Sequence, residues 1–273
     1  VLSKVDNNRE IAVITYTNAS ADDLKKKLIK NQKQSHNLFV GTIHSFLFRY
    51  FILPFAQTLE YKTSSTTIVD QLSELGIEWI DKWAEKKIDF PRYAVKAMKQ
   101  SKRNYQIEAA AKKGVYTFDG IIKIAKELSK DKKICKAISN RLQYLFIDEY
   151  QDTNDVQEEF ISYISSNNVY MVGDIKQSIY RFRNANPYIF KNKYDTYSSN
   201  NGGIKIDLNK NFRSREEVIN NINLMFNRIM DDDIGGASYK ESHQMVYGNL
   251  MYKGEGDNKE NNNFEVYSYL NDP

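Results

Sequence analysis

The stretch Leu145-Phe-Ile-Asp-Glu-Tyr-Gln-Asp152 decides how this chain is read. Three apolar residues, Leu145, Phe146 and Ile147, follow Tyr144 with no polar residue among them. That pattern predicts a strand buried on both faces, as in the middle of a parallel sheet. The run then turns acidic at Asp148 and Glu149, which places two carboxylates at the strand's carboxyl end, where open α/β sheets bind ligands. Being adjacent, the two side chains leave the strand in different directions. One can hold a divalent cation while the other faces a water, which suits nucleotide hydrolysis. A strand ending in a solvated acidic turn explains the same two residues, so the pair alone does not settle the chemistry.

More of the chain bears on the choice. A second apolar run, Val169-Tyr-Met-Val-Gly-Asp174, leads into Ile175-Lys-Gln-Ser-Ile-Tyr-Arg-Phe-Arg183, and Asn211-Phe-Arg-Ser-Arg-Glu-Glu-Val218 lies downstream. In this order and spacing they resemble motifs II, III and IV of the UvrD/Rep-type superfamily 1 DNA helicases. The form GDIKQSIYRFRNANPYIF is most similar to the AddA subunit of bacterial helicase–nucleases. Near the start, Tyr16-Thr-Asn-Ala-Ser20 resembles the family's motif Ia (TFTNxAA), with Tyr16 for the usual Phe and Ser20 for an Ala. Gly41-Thr-Ile-His-Ser-Phe46 matches its motif Ib (GTxHSF).

The resemblance implies an α/β fold of the RecA-like P-loop NTPase type, with a central parallel sheet and an all-helical insertion of the kind called 1B. It implies ATP and Mg²⁺ as cofactors, and single-stranded DNA and duplex junctions as partners. A nuclease partner of the AddB kind also follows from it. By position, Asp148 matches the Mg²⁺ holder and Glu149 the residue that orients or deprotonates the attacking water. Gln177 matches a γ-phosphate sensor, and Arg213 an arginine that contacts the γ-phosphate, fixed positive charge where negative charge develops. Tyr16, Thr17, Asn18, Thr42, His44 and Ser45 match positions along the single-strand path, and Tyr180 and Phe182 a base-stacking platform. Arg183, like Arg181, is expected to pair either with phosphates or with nearby carboxylates. Gln151 and Asp152 are expected to couple the site to motif III.

Composition limits the rival classes. The chain has 273 residues, 41% hydrophobic and 27% charged, which is the make-up of a globular protein with a real core. A net charge of +4 means that any nucleic-acid surface is a local patch. The single cysteine, Cys135, excludes an internal disulfide framework and fits a reducing cytoplasm. With only three histidines besides, a structural zinc site is not expected. No apolar run reaches the roughly 18 residues of a membrane span, and the start of the chain does not read as a signal peptide.

Working outward, Ile11–Thr15 and Leu38–Thr42 read as strands, with Ser20 expected to cap the helix after the first. Ile43–Phe51 reads as an aromatic helix. Residues 63–113 read as all helical and resemble the 1B insertion; its Lys96, Lys99, Lys102 and Arg103 form either a strand-facing patch or a solvated face. Thr117 reads as the N-cap of a helix that resembles the family's (D/T)FDDLL helix start, with Gly120 for an Asp. The resemblance implies contact with the DNA backbone here, and a plain core helix explains Phe118, Ile121, Ile122 and Ile124 equally well. Asn154-x-x-Gln157 and Ser214-x-x-Glu217 read as capping boxes, Asn186-Pro187 as a helix start, and Ile204–Leu208 and Phe264–Leu270 as strands. The expected organisation is a motor domain over residues 1–62 and 114–262, the insertion over 63–113, and the start of a hinge or next domain at 263–273. No GxxxxGK[ST] occurs in the sequence, and neither a second motor domain nor a nuclease domain is recognisable. The expectation is therefore a first motor domain without its phosphate-cradling loop, inactive by itself. Two rivals are a short UvrD-like helicase of a defence system and a non-catalytic DNA-binding module.

Overall fold

The computed structural model describes residues 8–31, 37–70, 92–231, 235 and 238–249. Contacts divide the chain into two units, Val1–Gly173 and Asp174–Pro273. In chain order the first unit holds β1 (Glu10–Thr15), α1 (Asn18–Asn31), β2 (Leu38–Thr42), α2 (Ile43–Leu47), α3 (Leu53–Phe55) and β3 (Thr67–Val69). It continues with α4 (Arg92–Lys112), β4 (Val115–Thr117), α5 (Phe118–Leu128), α6 (Lys132–Arg141), β5 (Leu142–Ile147), α7 (Asp155–Ile164) and β6 (Val169–Met171).

Four of these strands form one sheet in the order β2-β1-β5-β6, and every pairing is parallel. The order puts β5 inside the sheet, as its apolar run predicts, but one expectation needs correcting. Only one face of β5 is closed: Leu145 and Ile147 are buried with Ala12 and Ile14 of β1. On the other face Tyr144 and Phe146 are half-buried. Phe146 stacks on Tyr170 of β6 at 4.8 Å between centroids, and Tyr144 meets Tyr170 edge-on at 6.0 Å. Large aromatic rings shield one another there, so a run with no polar residue is compatible with partial exposure.

The helices pack as their apolar faces dictate. Ile121, Ile124, Ala125 and Leu128 of α5 are buried, as are Ile134, Cys135 and Ile138 of α6. Burial raises the Cys135 thiol above its ordinary value, and Sγ donates to Ser129 O at 3.3 Å. Of the two readings of this helix start, Phe118 does not fit the core one: it is exposed and turns to the His44 ring. Thr117 caps α5, its Oγ1 accepting from Gly120 N at 3.0 Å. A Cβ on Gly120 would lie 3.0 Å from that same Oγ1 and 3.3 Å from Ile107, so the packing of α4 on α5 accounts for the glycine. The aromatic helix forms but is interrupted by a π-turn at Phe48–Ile52, with Tyr50, Phe51 and Ile52 all buried.

Three further expectations are revised in this unit. The helix after β1 starts at Asn18, and Thr17, not Ser20, caps it, its Oγ1 accepting from Ser20 N at 3.1 Å. The segment read as all helical contains β3, which pairs with β4 in parallel. Residues 71–91 of that segment lie outside the described residues, as do the side chains of Lys96, Lys99 and Lys102. Arg103 pairs with Asp119, an exposed ion pair that favours a solvated face.

At the opposite end of the sheet from the acidic turn, Glu10 collects a small charge network. It accepts from Tyr50 at 2.5 Å and from Arg141 at 2.6 and 2.9 Å, with Arg49 at 3.5 Å. Burial opposes the Glu10 charge, but these partners outweigh it and hold its carboxyl below the usual value.

The second unit holds α8 (Pro187–Ser198), β7 (Lys210–Asn211), α9 (Glu216–Ile229) and β8 (Val246–Tyr247), with single 3-10 turns at Ile175–Gln177 and Arg181–Arg183. Tyr239 is buried, packs on Phe226 and donates to Asn223 Oδ1 at 2.7 Å. The predicted strand at residues 204–208 is unpaired among the described residues. Ile204, Ile206 and Leu208 are 76–85% exposed, while Lys205 turns back to Tyr194 and Asp207. The Ser214 capping box is absent; Asn211 Oδ1 instead accepts from both Arg213 N and Ser214 N at 2.9 Å. Phe264–Leu270 lies outside the described residues.

Candidate functional site

The acidic turn is built by three backbone bonds. Asp148 N donates to Ile14 O, Val172 N to Ile147 O and Tyr150 N to Val172 O, each at 2.9 Å. The turn is thereby tied to both strands that flank β5. Tyr150 and Gln151 are 1% exposed and plug it from beneath, with the Tyr150 hydroxyl donating to Glu158 of α7. The Asn154–Gln157 capping box forms as predicted and fixes the start of α7. Asp148 and Glu149 remain exposed at the carboxyl end of the sheet.

Glu149 stands in the left-handed region, φ 53° and ψ 43°, which costs a non-glycine residue on the order of 1–2 kcal/mol. Its carboxylate accepts from Gln151 Nε2 at 2.7 Å. Asp148 Oδ1 accepts from Glu149 N at 3.1 Å. Desolvation by surrounding atoms raises the Asp148 carboxyl above its ordinary value; the Glu149 backbone bond opposes this and the Glu149 charge adds to it. Asp152 is 5% exposed, and its Oδ1 has no hydrogen-bond partner among the described residues. Burial, reinforced by the Glu149 charge, pushes Asp152 up to about 6.

Two neighbouring strand ends carry the polar corners. Thr15 of β1 stands opposite Thr42 of β2, so the helices α1 and α2 begin side by side. Each starts with the same device: Thr17 Oγ1 lies 2.8 Å from Ser20 Oγ, and Thr42 Oγ1 lies 3.2 Å from Ser45 Oγ. Thr17, Asn18 and Ser45 are exposed, while Tyr16, Thr42 and His44 are half-buried. Gly41 permits the tight exit from β2, since a Cβ there would lie 2.8 Å from the Phe39 ring and 3.3 Å from Ser45 Cβ. His44 packs edge-on against Phe118 at 5.1 Å, and burial holds its imidazole below the ordinary value.

In the second unit Gln177 is exposed and its Nε2 donates to Asp174 Oδ2 at 3.1 Å. Lys176 Nζ holds the other oxygen at 2.8 Å. Burial works against the Asp174 charge, but Lys176 and Gln177 together keep its carboxyl below the usual value. Tyr180 and Phe182 lie 5.7 Å apart, and Phe182 is 75% exposed. Arg213 is exposed, and no ion pair forms on it among the described residues. The Arg183 side chain lies outside the described residues. Asp148, Glu149 and both strand-end corners thus belong to the first unit, and Gln177, Tyr180, Phe182 and Arg213 to the second.

Sequence reasoning misses three contacts that hold these groups. The motif position of Gln151 points to a coupling role, yet its side chain directly binds Glu149. Asp174 partners Gln177 from three positions away, a spacing that fits a single 3-10 turn. Arg181, for which phosphate and carboxylate are equally expected partners, places its guanidinium over the Tyr188 ring at 5.5 Å.

Comparisons with known proteins identify the family. Residues 56–198, more than half of the chain, match the UvrD/REP helicase N-terminal domain. The chain is 44% identical over 140 residues to the AddA subunit of the ATP-dependent helicase/nuclease of Oceanobacillus iheyensis, covering 48% of this chain and 11% of that one. It is 43% identical over 155 residues to the corresponding protein of a Thermoanaerobacter species, covering 52% and 13%. Against that of Alkaliphilus oremlandii it is 35% identical over 184 residues, covering 66% and 14%. The matched part of this chain therefore spans no more than about a seventh of those relatives. No helix among the described residues is long and apolar enough to cross a membrane. An α/β unit on a parallel sheet, an acidic turn after its inner strand and the match over residues 56–198 lead to one assignment: the chain belongs to the UvrD/REP helicase N-terminal domain family.

Proposed function

We propose that this chain is part of the motor of an ATP-dependent DNA helicase of the AddA helicase/nuclease kind, which moves along single-stranded DNA in the cytoplasm and works at duplex junctions beside a nuclease partner. The observation that carries the reading is the turn at Asp148 and Glu149: two exposed carboxylates at the end of an inner parallel strand, the second held by Gln151. Residues 1–62 and 114–262 form the motor domain in this reading, and 63–113 a 1B-like insertion. The strand ends at Tyr16, Thr17 and Asn18 and at Thr42, His44 and Ser45 contact the DNA backbone through hydroxyls and helix N-termini.

Among the described residues no three His, Cys, Asp or Glu side chains gather into a metal site. Mg²⁺ does not need such a cage, since it keeps waters and binds one or two carboxylates plus the phosphates of its nucleotide. An exposed Asp148 fits that donor set, and the ion when bound offsets the charge of the phosphates. Glu149 orients the attacking water and takes its proton. Gln177 reads the terminal phosphate, and Arg213 stabilises the charge that develops on it.

The test is DNA-stimulated ATP hydrolysis by the full-length protein. Glu149→Gln should lower turnover by about 10²–10⁴-fold, the usual contribution of a positioned acid–base group, with nucleotide binding retained. Turnover within a few-fold of the parent would remove Glu149 from the chemistry.

A further inference from the structure

The Arg181 guanidinium sits 5.5 Å from the centroid of the Tyr188 ring, and Tyr188 itself is 58% exposed. Apolar side chains near Arg181 in the chain are also exposed. Ile179 is 69% exposed and Phe182 75%, and Arg181 is exposed as well. Pro187 and the Asn186 cap fix Tyr188 in the first turn of α8. Arg181 forms no ion pair with a carboxylate among the described residues, and its side chain is exposed.

We propose that Tyr188 and Arg181 form an additional single-strand contact: the Tyr188 ring stacks on a base and Arg181 binds the adjoining phosphate. This rests on the DNA-translocating reading above and extends its stacking surface beyond Tyr180 and Phe182. The chemistry favours nucleic acid over an acidic peptide. A flat ring backed by a guanidinium matches the π-face of any base, and the guanidinium edge stays available for a phosphate oxygen. The Tyr188 backbone N–H, bonded to Asn186 Oδ1 at 3.2 Å, keeps the ring at the helix start, an end that also favours the anionic backbone. Because stacking discriminates little among bases, the contact adds affinity without sequence preference.

The experiment measures mixed-sequence single-strand binding by the full-length protein, by anisotropy across a salt series, with 2-aminopurine oligonucleotides as a stacking reporter. Tyr188→Ala should weaken binding roughly 5- to 150-fold and abolish quenching of 2-aminopurine at one position, while Tyr188→Phe restores both. Arg181→Gln should lower the slope of log K against log salt by about 0.7, the value for one phosphate on a single strand. Tyr180→Ala serves as the control. Unchanged affinity and quenching in Tyr188→Ala, with Tyr180→Ala weakened, would overturn the added contact and leave the stacking platform standing. Unchanged binding in both variants would remove the platform reading as well. Loss of thermal stability in Tyr188→Ala with DNA binding intact would show that the ring packs against protein, and would equally overturn the proposal.

Discussion

Gln151, almost completely buried, donates to the Glu149 carboxylate at 2.7 Å across a turn in which Glu149 is left-handed. The strained residue is exposed and its holder is not, so the carboxylate direction is set from inside the protein. Gln151→Leu should therefore lower kcat for ATP by about 10²-fold, as misplacement by an ångström does, with KM little changed. Steady-state kinetics at saturating DNA would check it. A raised KM with unchanged kcat would show that Gln151 serves binding instead.

Asp152 ties pH to stability. Its carboxyl is raised to about 6 in the fold, against about 3.9 for an unfolded aspartate, so the folded state binds its proton more tightly. The stabilisation is complete below about pH 4 and is lost as pH rises through about 6. Asp152→Asn, which keeps the shape without the charge, should raise stability at pH 7 and flatten the profile between about pH 4 and 6. Urea unfolding of the chain at a series of pH values gives the answer; an unaltered profile would show that Asp152 is not the titrating group.

Tyr180 and Phe182 should act as a stacking pair. Alanine at either position is expected to weaken single-strand binding by about 1–3 kcal/mol with no change in base preference. Anisotropy with oligonucleotides of differing sequence measures both quantities. Full affinity in both variants would mean that the rings serve only protein packing.

Gln177 and Arg213 should separate under mutation. Arg213 carries full charge, and its loss is expected to cost on the order of 10³–10⁵ in hydrolysis rate even with DNA saturating. Gln177 is neutral and bonded to Asp174, and its turn runs on toward Tyr180 and Phe182. Gln177→Ala should leave measurable hydrolysis while unwinding falls further. Side-by-side assays decide it: equal proportional losses would refute a coupling role.

What is legible in the sequence, and what is not, divides along physical lines. The inner strand ending at Ile147 can be read because an unbroken apolar run that turns acidic at its end fits few structures besides a strand entering a loop. The Asn154 and Thr117 caps can be read because each lies one turn from the donor it satisfies. Thr17 and Ser20 are both good caps, and only the backbone shows which residue is last outside the helix. Strand β3 has three residues, too few for an alternating pattern to stand out. The unpaired course of Ile204–Leu208 and the left-handed Glu149 depend on tertiary surroundings that local pattern does not encode. The contact of Arg181 with Tyr188 spans a turn and a helix start, beyond the reach of spacing rules.

The parallel register sets where this chain can change length. Ile14 faces Ile147 across one pairing and Gly41 across the other, so three strands share a single frame. Inserting one residue within β5 would swap its buried Leu145 and Ile147 for the aromatic side and aim the acidic turn away from its neighbours. Deletion within β1 would likewise pull Thr17 out of step with Thr42. Evolution can lengthen or shorten the connections between these strands far more freely than the strands themselves. The molecule's tolerance of indels is thus a map of its sheet, drawn in the negative.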